Sequence, residues 1–106
     1  MANPWAGEVT IVLNGEAHVA KLTLGALAEL EGDLGTGTLV ELVERFEMGR
    51  FSARDVLKLI VAGLRGGGWN GQAADLVDVE IRGGPVAAAQ AAAQLLARAF
   101  TVPEAR

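Results

Sequence analysis

Apolar residues recur along the chain with two different periods, and the change between them marks where strands give way to helices. Between Glu8 and Thr23 two short runs flank Asn14-Gly15. Val9, Ile11 and Leu13 alternate before that pair. After it, Ala17, Val19 and Lys21 alternate with His18, Ala20 and Leu22. Asn-Gly is the strongest short hairpin signal, because both residues of the tight turn need positive φ and these two tolerate it. The pattern predicts an antiparallel hairpin. An isolated hairpin is marginal in water, so it must pack on another element.

From Leu24 the period becomes helical. Leu24, Leu27, Leu30 and Leu34 lie near one face, Thr23 is placed to cap the start, and Gly32, Gly35 and Gly37 stop the run. Thr38-Leu39-Val40-Glu41 reads as a capping box ahead of the stripe Leu39, Leu42, Val43 and Phe46, which Gly49 ends. Ser52 caps a third helix, with Asp55 at the third helical position, where a carboxylate suits the helix dipole. Phe51 and Val56 occupy the positions of a hydrophobic staple. Val56, Leu57, Leu59, Ile60, Val61 and Leu64 surround most of this helix, which predicts that it is the central, most buried one. Gly66-Gly67-Gly68 then forms a helix stop with a mobile turn.

The segment from Gln72 to Arg82 fits two periods. Val77, Val79 and Ile81 alternate like a strand, whereas Ala73, Leu76, Val77 and Ile81 share a helical face. The flanking alanines and the lack of a partner strand favour a helix. Pro85 suits the first turn of a final helix. Val86, Ala89, Ala93, Leu96 and Phe100 recur along it at helical spacing, and Pro103 ends the order. No repeat, long linker or low-complexity tract divides the sequence. The expected fold is α+β, mainly α: an N-terminal β-hairpin packed on a bundle of four to five helices, in a single domain over 1–106.

Composition narrows what such a domain can do. Apolar residues make up 51% of 106, enough for one core and too many for general disorder. Lys and Arg total 9 against 13 Asp and Glu, a formal charge of -4. Nucleic-acid binders usually show a basic face. The nearest approach, Arg45, Arg50, Arg54 and Lys58, is interleaved with Glu44, Glu47 and Asp55 and reads as a mixed solvated face. Neither nucleic acid nor an anionic membrane is an expected partner. The absence of cysteine removes disulfides, thiolate nucleophiles, Fe–S clusters and cysteine-based zinc sites. Met1-Ala2-Asn3-Pro4 lacks the basic-then-apolar order of a signal peptide. Pro85 to Phe100 carries Gln90, Gln94 and Arg98 and is shorter than the roughly 20 apolar residues that span a bilayer. The expected compartment is the cytoplasm of the producing cell.

The inventory of chemistry is short. His18 is the one histidine, read as an exposed strand residue, and a metal site needs several convergent ligands. Ser52 is the one serine and has a capping role, while a serine nucleophile needs a base and an oxyanion site. The glycines at 66–68 are followed by Trp69, where a P-loop needs lysine and Ser/Thr ahead of a helix. The carboxylate pairs Glu29/Glu31, Glu41/Glu44 and Asp75/Asp78, with Glu80, read as polar helix faces. No catalytic residue, metal ligand or cofactor site is expected. Trp5 and Trp69 lie in glycine-containing loops and are candidate partner-binding residues, because tryptophan is enriched at binding hot spots. The competing reading is that each ring folds back as a lid on the core. The alanine-rich final helix likewise reads either as internal packing or as a groove-binding or self-association face.

Several segments in combination resemble a known family. They are Asn3-Pro4-Trp5-Ala6-Gly7-Glu8, the hairpin leading into Leu22-Thr23-Leu24-Gly25-Ala26-Leu27-Ala28-Glu29-Leu30-Glu31, Phe51-Ser52-Ala53-Arg54-Asp55-Val56, and Gly63-Leu64-Arg65-Gly66-Gly67-Gly68-Trp69. The chain resembles the small protein encoded before the tape-measure gene in alphaproteobacterial gene transfer agents. That family is similar to the tail assembly chaperones of long-tailed phages and has also been labelled a tail tube protein. The resemblance implies a non-enzymatic tail assembly chaperone that binds the tape-measure protein and assists tail tube assembly in a gene transfer agent particle, with the tape-measure protein and the tail tube protein as partners. It also implies absence from the mature particle. Two rival readings are a structural component of the tail tube and, more weakly, a small-molecule enzyme or sensor. Tube subunits form rings largely through β-sheets, and the sequence shows one hairpin.

Overall fold

In the computed structural model, which describes residues 7–33, 38–76 and 78–100 and of Asp33 the backbone alone, the chain first reverses at Asn14 and Gly15. Both take positive φ, 48° and 83°, which is the geometry a two-residue hairpin loop demands. Strands β1 (Val9–Leu13) and β2 (Glu16–Ala20) pair antiparallel, with Val9 opposite Ala20, Ile11 opposite His18 and Leu13 opposite Glu16. Val9, Ile11, Leu13 and Ala20 are buried on one face, while Ala17 and Val19 lie on the other and are exposed. His18 shares the inward face and is half-buried, so it is not the exposed strand residue expected from sequence.

Among the described residues four α-helices and one 3-10 turn follow: α1 (Leu24–Asp33), α2 (Leu39–Glu47), α3 (Ala53–Gly66), the turn Ala73–Leu76 and α4 (Gly84–Ala99). The fold is α+β and mainly α, with the hairpin packed on the helices. Local chemistry sets the starts. The Thr23 hydroxyl accepts from the Ala26 amide at 3.0 Å. Thr38 and Glu41 form a reciprocal capping box on α2, and Ser52 and Asp55 form another on α3. Each box satisfies amides that a helix start leaves without partners.

Helix α3 supplies the centre of the core, burying Leu59, Ile60, Ala62, Gly63 and Leu64. Around it close the buried hairpin face, Ala26 and Leu30 of α1, Leu42 of α2, Leu76 of the 3-10 turn, and Ala92, Leu95 and Leu96 of α4. The close approach of α3 to its neighbours depends on glycine. A Cβ at Gly63 would press on the Leu95 side chain. At Gly66 and Gly67 a Cβ would overlap the carbonyl oxygens of Lys21 and Val19. The Lys21 amide donates to the Gly63 carbonyl at 2.9 Å. The glycine run is therefore a packed seam between α3 and β2, not only a helix stop with a mobile turn.

Three further expectations are corrected. Gln72 to Arg82 is not an α-helix. Within it only Ala73–Leu76 makes a 3-10 turn, held where Asp75 accepts from the Gln72 amide at 2.8 Å. Beyond that turn the chain meets the edge of β1: the Asn14 amide donates to the Glu80 carbonyl at 2.8 Å, and the Arg82 amide to the Val12 carbonyl at 3.1 Å. Leu13 and Ile81 form an antiparallel bridge. The missing partner strand is β1 itself, and Val79 and Ile81 pack partly buried against the core.

The buried stripe of α1 runs through Ala26 and Leu30, because Leu24 at the first helical position points outward and is 85% exposed. The buried stripe of α4 is Ala88, Ala92, Leu95 and Leu96. Val86, Ala93 and Phe100, expected on the packed face, are exposed. Leu34, Val77 and Pro103 lie outside the described residues.

Candidate functional site

Two places on the surface combine shape with distinctive side chains. The first surrounds Trp69. The chain leaves α3 at Gly67, and the Trp69 amide donates to the Leu64 carbonyl at 2.9 Å, so the ring is set immediately after the helix end. The ring is half-buried, packs against the core, and lies so close to Gly71 that a Cβ there would overlap it. It separates two shallow depressions, one bordered by Thr23, Glu29 and Arg65, the other by Asn14, His18 and Leu76. Glu29 and Arg65 pair at 3.0 Å on the rim of the first. Trp5 lies outside the described residues, so the structure places only one of the two candidate tryptophans.

The second place is a groove between α2 and α4, about 360 Å³ in volume. Val43, Phe46 and Glu47 form one wall; Ala93, Leu96 and Phe100 form the other. Phe46 is braced from behind by Phe51, whose ring stacks on it at 4.5 Å between centroids and 8° between planes. The turn between α2 and α3 is fixed by an ion pair. Arg45 donates from Nη2 to Asp55 Oδ1 at 3.0 Å and from Nε to Oδ2 at 3.2 Å. Asp55 Oδ2 also accepts from the Ser52 amide at 3.0 Å. Burial works against the Asp55 charge, but the Ser52 amide and the Arg45 guanidinium outweigh it and hold the carboxyl below its ordinary pKa. The Asp55 side chain is only 12% exposed, so this pair is not part of a mixed solvated face as the charge pattern suggested.

The remaining polar residues serve structure. Ser52 Oγ accepts from the Asp55 amide, and His18 faces Glu16 at 3.5 Å, so the two have separate partners. Glu41 belongs to a capping box, and Asp75 caps the 3-10 turn. The Glu80 amide donates to Asn14 Oδ1 at 3.0 Å. Asp75 thus lies in the short 3-10 turn and Asp78 and Glu80 on the irregular segment after it, not on a polar α-helix face. Among the described residues no three His, Asp or Glu converge as a metal site, and no helix is long and apolar enough to cross a membrane.

The groove was only half visible in the sequence. Val43 and Phe46 belong to the apolar stripe of α2, and in the fold they also line an open surface. Its signal was the second apolar stripe of α4, Val86, Ala89, Ala93 and Phe100, lying beside the buried one.

A compact, mainly helical domain with an N-terminal hairpin and an apolar groove is consistent with many protein-binding roles. A family profile described as phage tail tube protein, GTA-gp10, matches residues 6–102. The chain belongs to that family. It is thus a gene transfer agent tail protein by family, and the match takes in the hairpin, the four helices and the irregular segment at 78–82. No curated protein and no solved structure matches it.

Proposed function

We propose that this protein serves the tail of a gene transfer agent particle by contact with other tail proteins, without catalysis. The observation that carries this is the family match across 6–102. The family description supports a structural component of the tail tube better than it supports an assembly chaperone. The open apolar groove between α2 and α4 supports a role in protein contact, since it offers a preformed surface to a neighbouring subunit.

One observation favours the chaperone as a second reading. The only sheet among the described residues is the two-stranded hairpin. Part of the β1 edge is paired with Glu80–Arg82, and the C-terminal end of α3 lies against β2. Little strand edge remains for a ring built by continuous sheet. A tube component of this shape would join its neighbours through helix and hairpin faces. A chaperone would use the same faces to hold the tape-measure protein and tail tube subunits in the producing cytoplasm, and then leave.

Quantitative mass spectrometry separates the two readings. A tail component is present at stoichiometric level in purified particles. A chaperone is missing from them but co-purifies with tail proteins from producing cells. If neither pool contains it, both readings fail.

A further inference from the structure

We propose that the groove between α2 and α4 docks an amphipathic helix of another protein, one with an apolar face and a basic edge. The inference rests on the reading that the chain works by protein contact, and it holds equally for a tail component and a chaperone.

The uncharged wall of the groove belongs to α4. A helix laid against a core needs one apolar stripe, and with its buried stripe α4 already packs on both α3 and β1. This helix has two. The inner stripe, Ala88, Ala92 and Leu95, is buried in the core. The outer stripe runs through Val86, Ala93 and Phe100 and stays open, with Val86 69% and Phe100 48% exposed. Arg98 is the one charged residue of α4, and its guanidinium is turned away to the Glu8 carbonyl. The outer stripe therefore forms a wall without charge.

The facing wall supplies the sign of the partner. On α2 the exposed flank beyond Val43 carries Val40, 68% exposed, together with Glu44 and Glu47. Glu47 lines the groove itself. The one cation of α2, Arg45, is committed to Asp55. An apolar floor with an acidic lip is complementary to a helix whose apolar anchors recur at i, i+3 or i+4, and i+7, with lysine or arginine along one edge. The shorter wall, α2, is 9 residues or about 14 Å long, so it covers between two and three turns of such a helix.

A second copy of this chain is the less fitting occupant. It would bring the same acidic lip and a further net charge of -4 against this one, and like charges in a forming interface oppose association.

The test titrates the full-length protein with two labelled synthetic peptides of about 18 residues, long enough to overhang both ends of the groove. Both carry the same leucine pattern; one has lysine at every polar position and the other glutamate. Fluorescence anisotropy is expected to show the lysine peptide binding at least about ten-fold more tightly than the glutamate peptide. Ala93→Arg is expected to weaken the lysine peptide by at least about ten-fold, and Glu47→Lys to move the preference toward the glutamate peptide. Glu31→Lys, on exposed α1 surface, is expected to change neither. Circular dichroism checks that each variant folds, and Phe100→Ser replaces Ala93→Arg if the latter does not.

Equal affinity for both peptides overturns the proposal. So does a Glu31→Lys effect as large as that of Glu47→Lys, which would mean diffuse charge attraction. A dimer of the protein that Ala93→Arg abolishes also overturns it, because a second copy would then be the occupant. Failure of the peptide assay leaves the particle measurement unaffected, so failure of this inference is distinguishable from failure of the tail role.

Discussion

Asp55 joins three parts of the chain: the start of its own helix, the Ser52 amide and the Arg45 guanidinium on α2. Its pKa in the folded protein is depressed below the ordinary value of 3.8. The stability it contributes is therefore present above that ordinary value and is lost as pH falls through the folded one. Denaturation curves of the wild type and Asp55→Asn should differ at neutral pH by about 1–2 kcal/mol and converge below about pH 4. A gap that persists into acid would mean that the charge contributes nothing. Two glycines give a second prediction, with opposite signs for the same substitution. Gly67→Ala forces a Cβ onto the Val19 carbonyl oxygen and should cost about 3 kcal/mol. Gly32→Ala meets nothing within 4 Å in α1 and should stabilise by about 0.5–1 kcal/mol, both read from urea midpoints. Trp69→Ala removes a half-buried ring from the core edge and should lower the melting temperature by several degrees, a loss of about 2 kcal/mol.

Among the elements, those fixed by neighbouring residues were legible from the sequence. Asn14-Gly15 specified the hairpin, and Thr38/Glu41 and Ser52/Asp55 specified two helix starts, because each signal is complete within four residues. The errors occurred where tertiary partners decide. The stretch 72–82 has alanines and a helical face, but β1 offers backbone groups that a helix would leave unpaired. The amides of Asn14 and Arg82 should thus exchange with solvent as slowly as those of the β1–β2 ladder in a hydrogen-exchange experiment. Exchange at coil rates would mean that Glu80–Arg82 does not pair with the edge of β1. The face of α4 was misplaced for a related reason. Val86, Ala93 and Phe100 form a real stripe, but Ala88, Ala92 and Leu95 are the residues buried, with Leu95 so near α3 that only glycine fits at position 63.

Among the described residues the protein presents a packed glycine seam and an apolar groove that Glu47 also lines. Fold class and central helix could be anticipated from periodicity, since apolar residues cover much of the circumference of α3 and five of its residues are buried. The groove could not, because it exists only where α2 and α4 are brought side by side, and no local pattern records that meeting. The same limit applies to function. Nothing in the residues taken singly points to a tail; the family match across nearly the whole chain does.

The leading reading, a structural component of the tail, is tested most directly by counting copies of this protein in purified particles against a known tail subunit by quantitative mass spectrometry. The account predicts a fixed stoichiometry that survives repeated purification. Absence from the particles, with the protein abundant in the cells that made them, would contradict it.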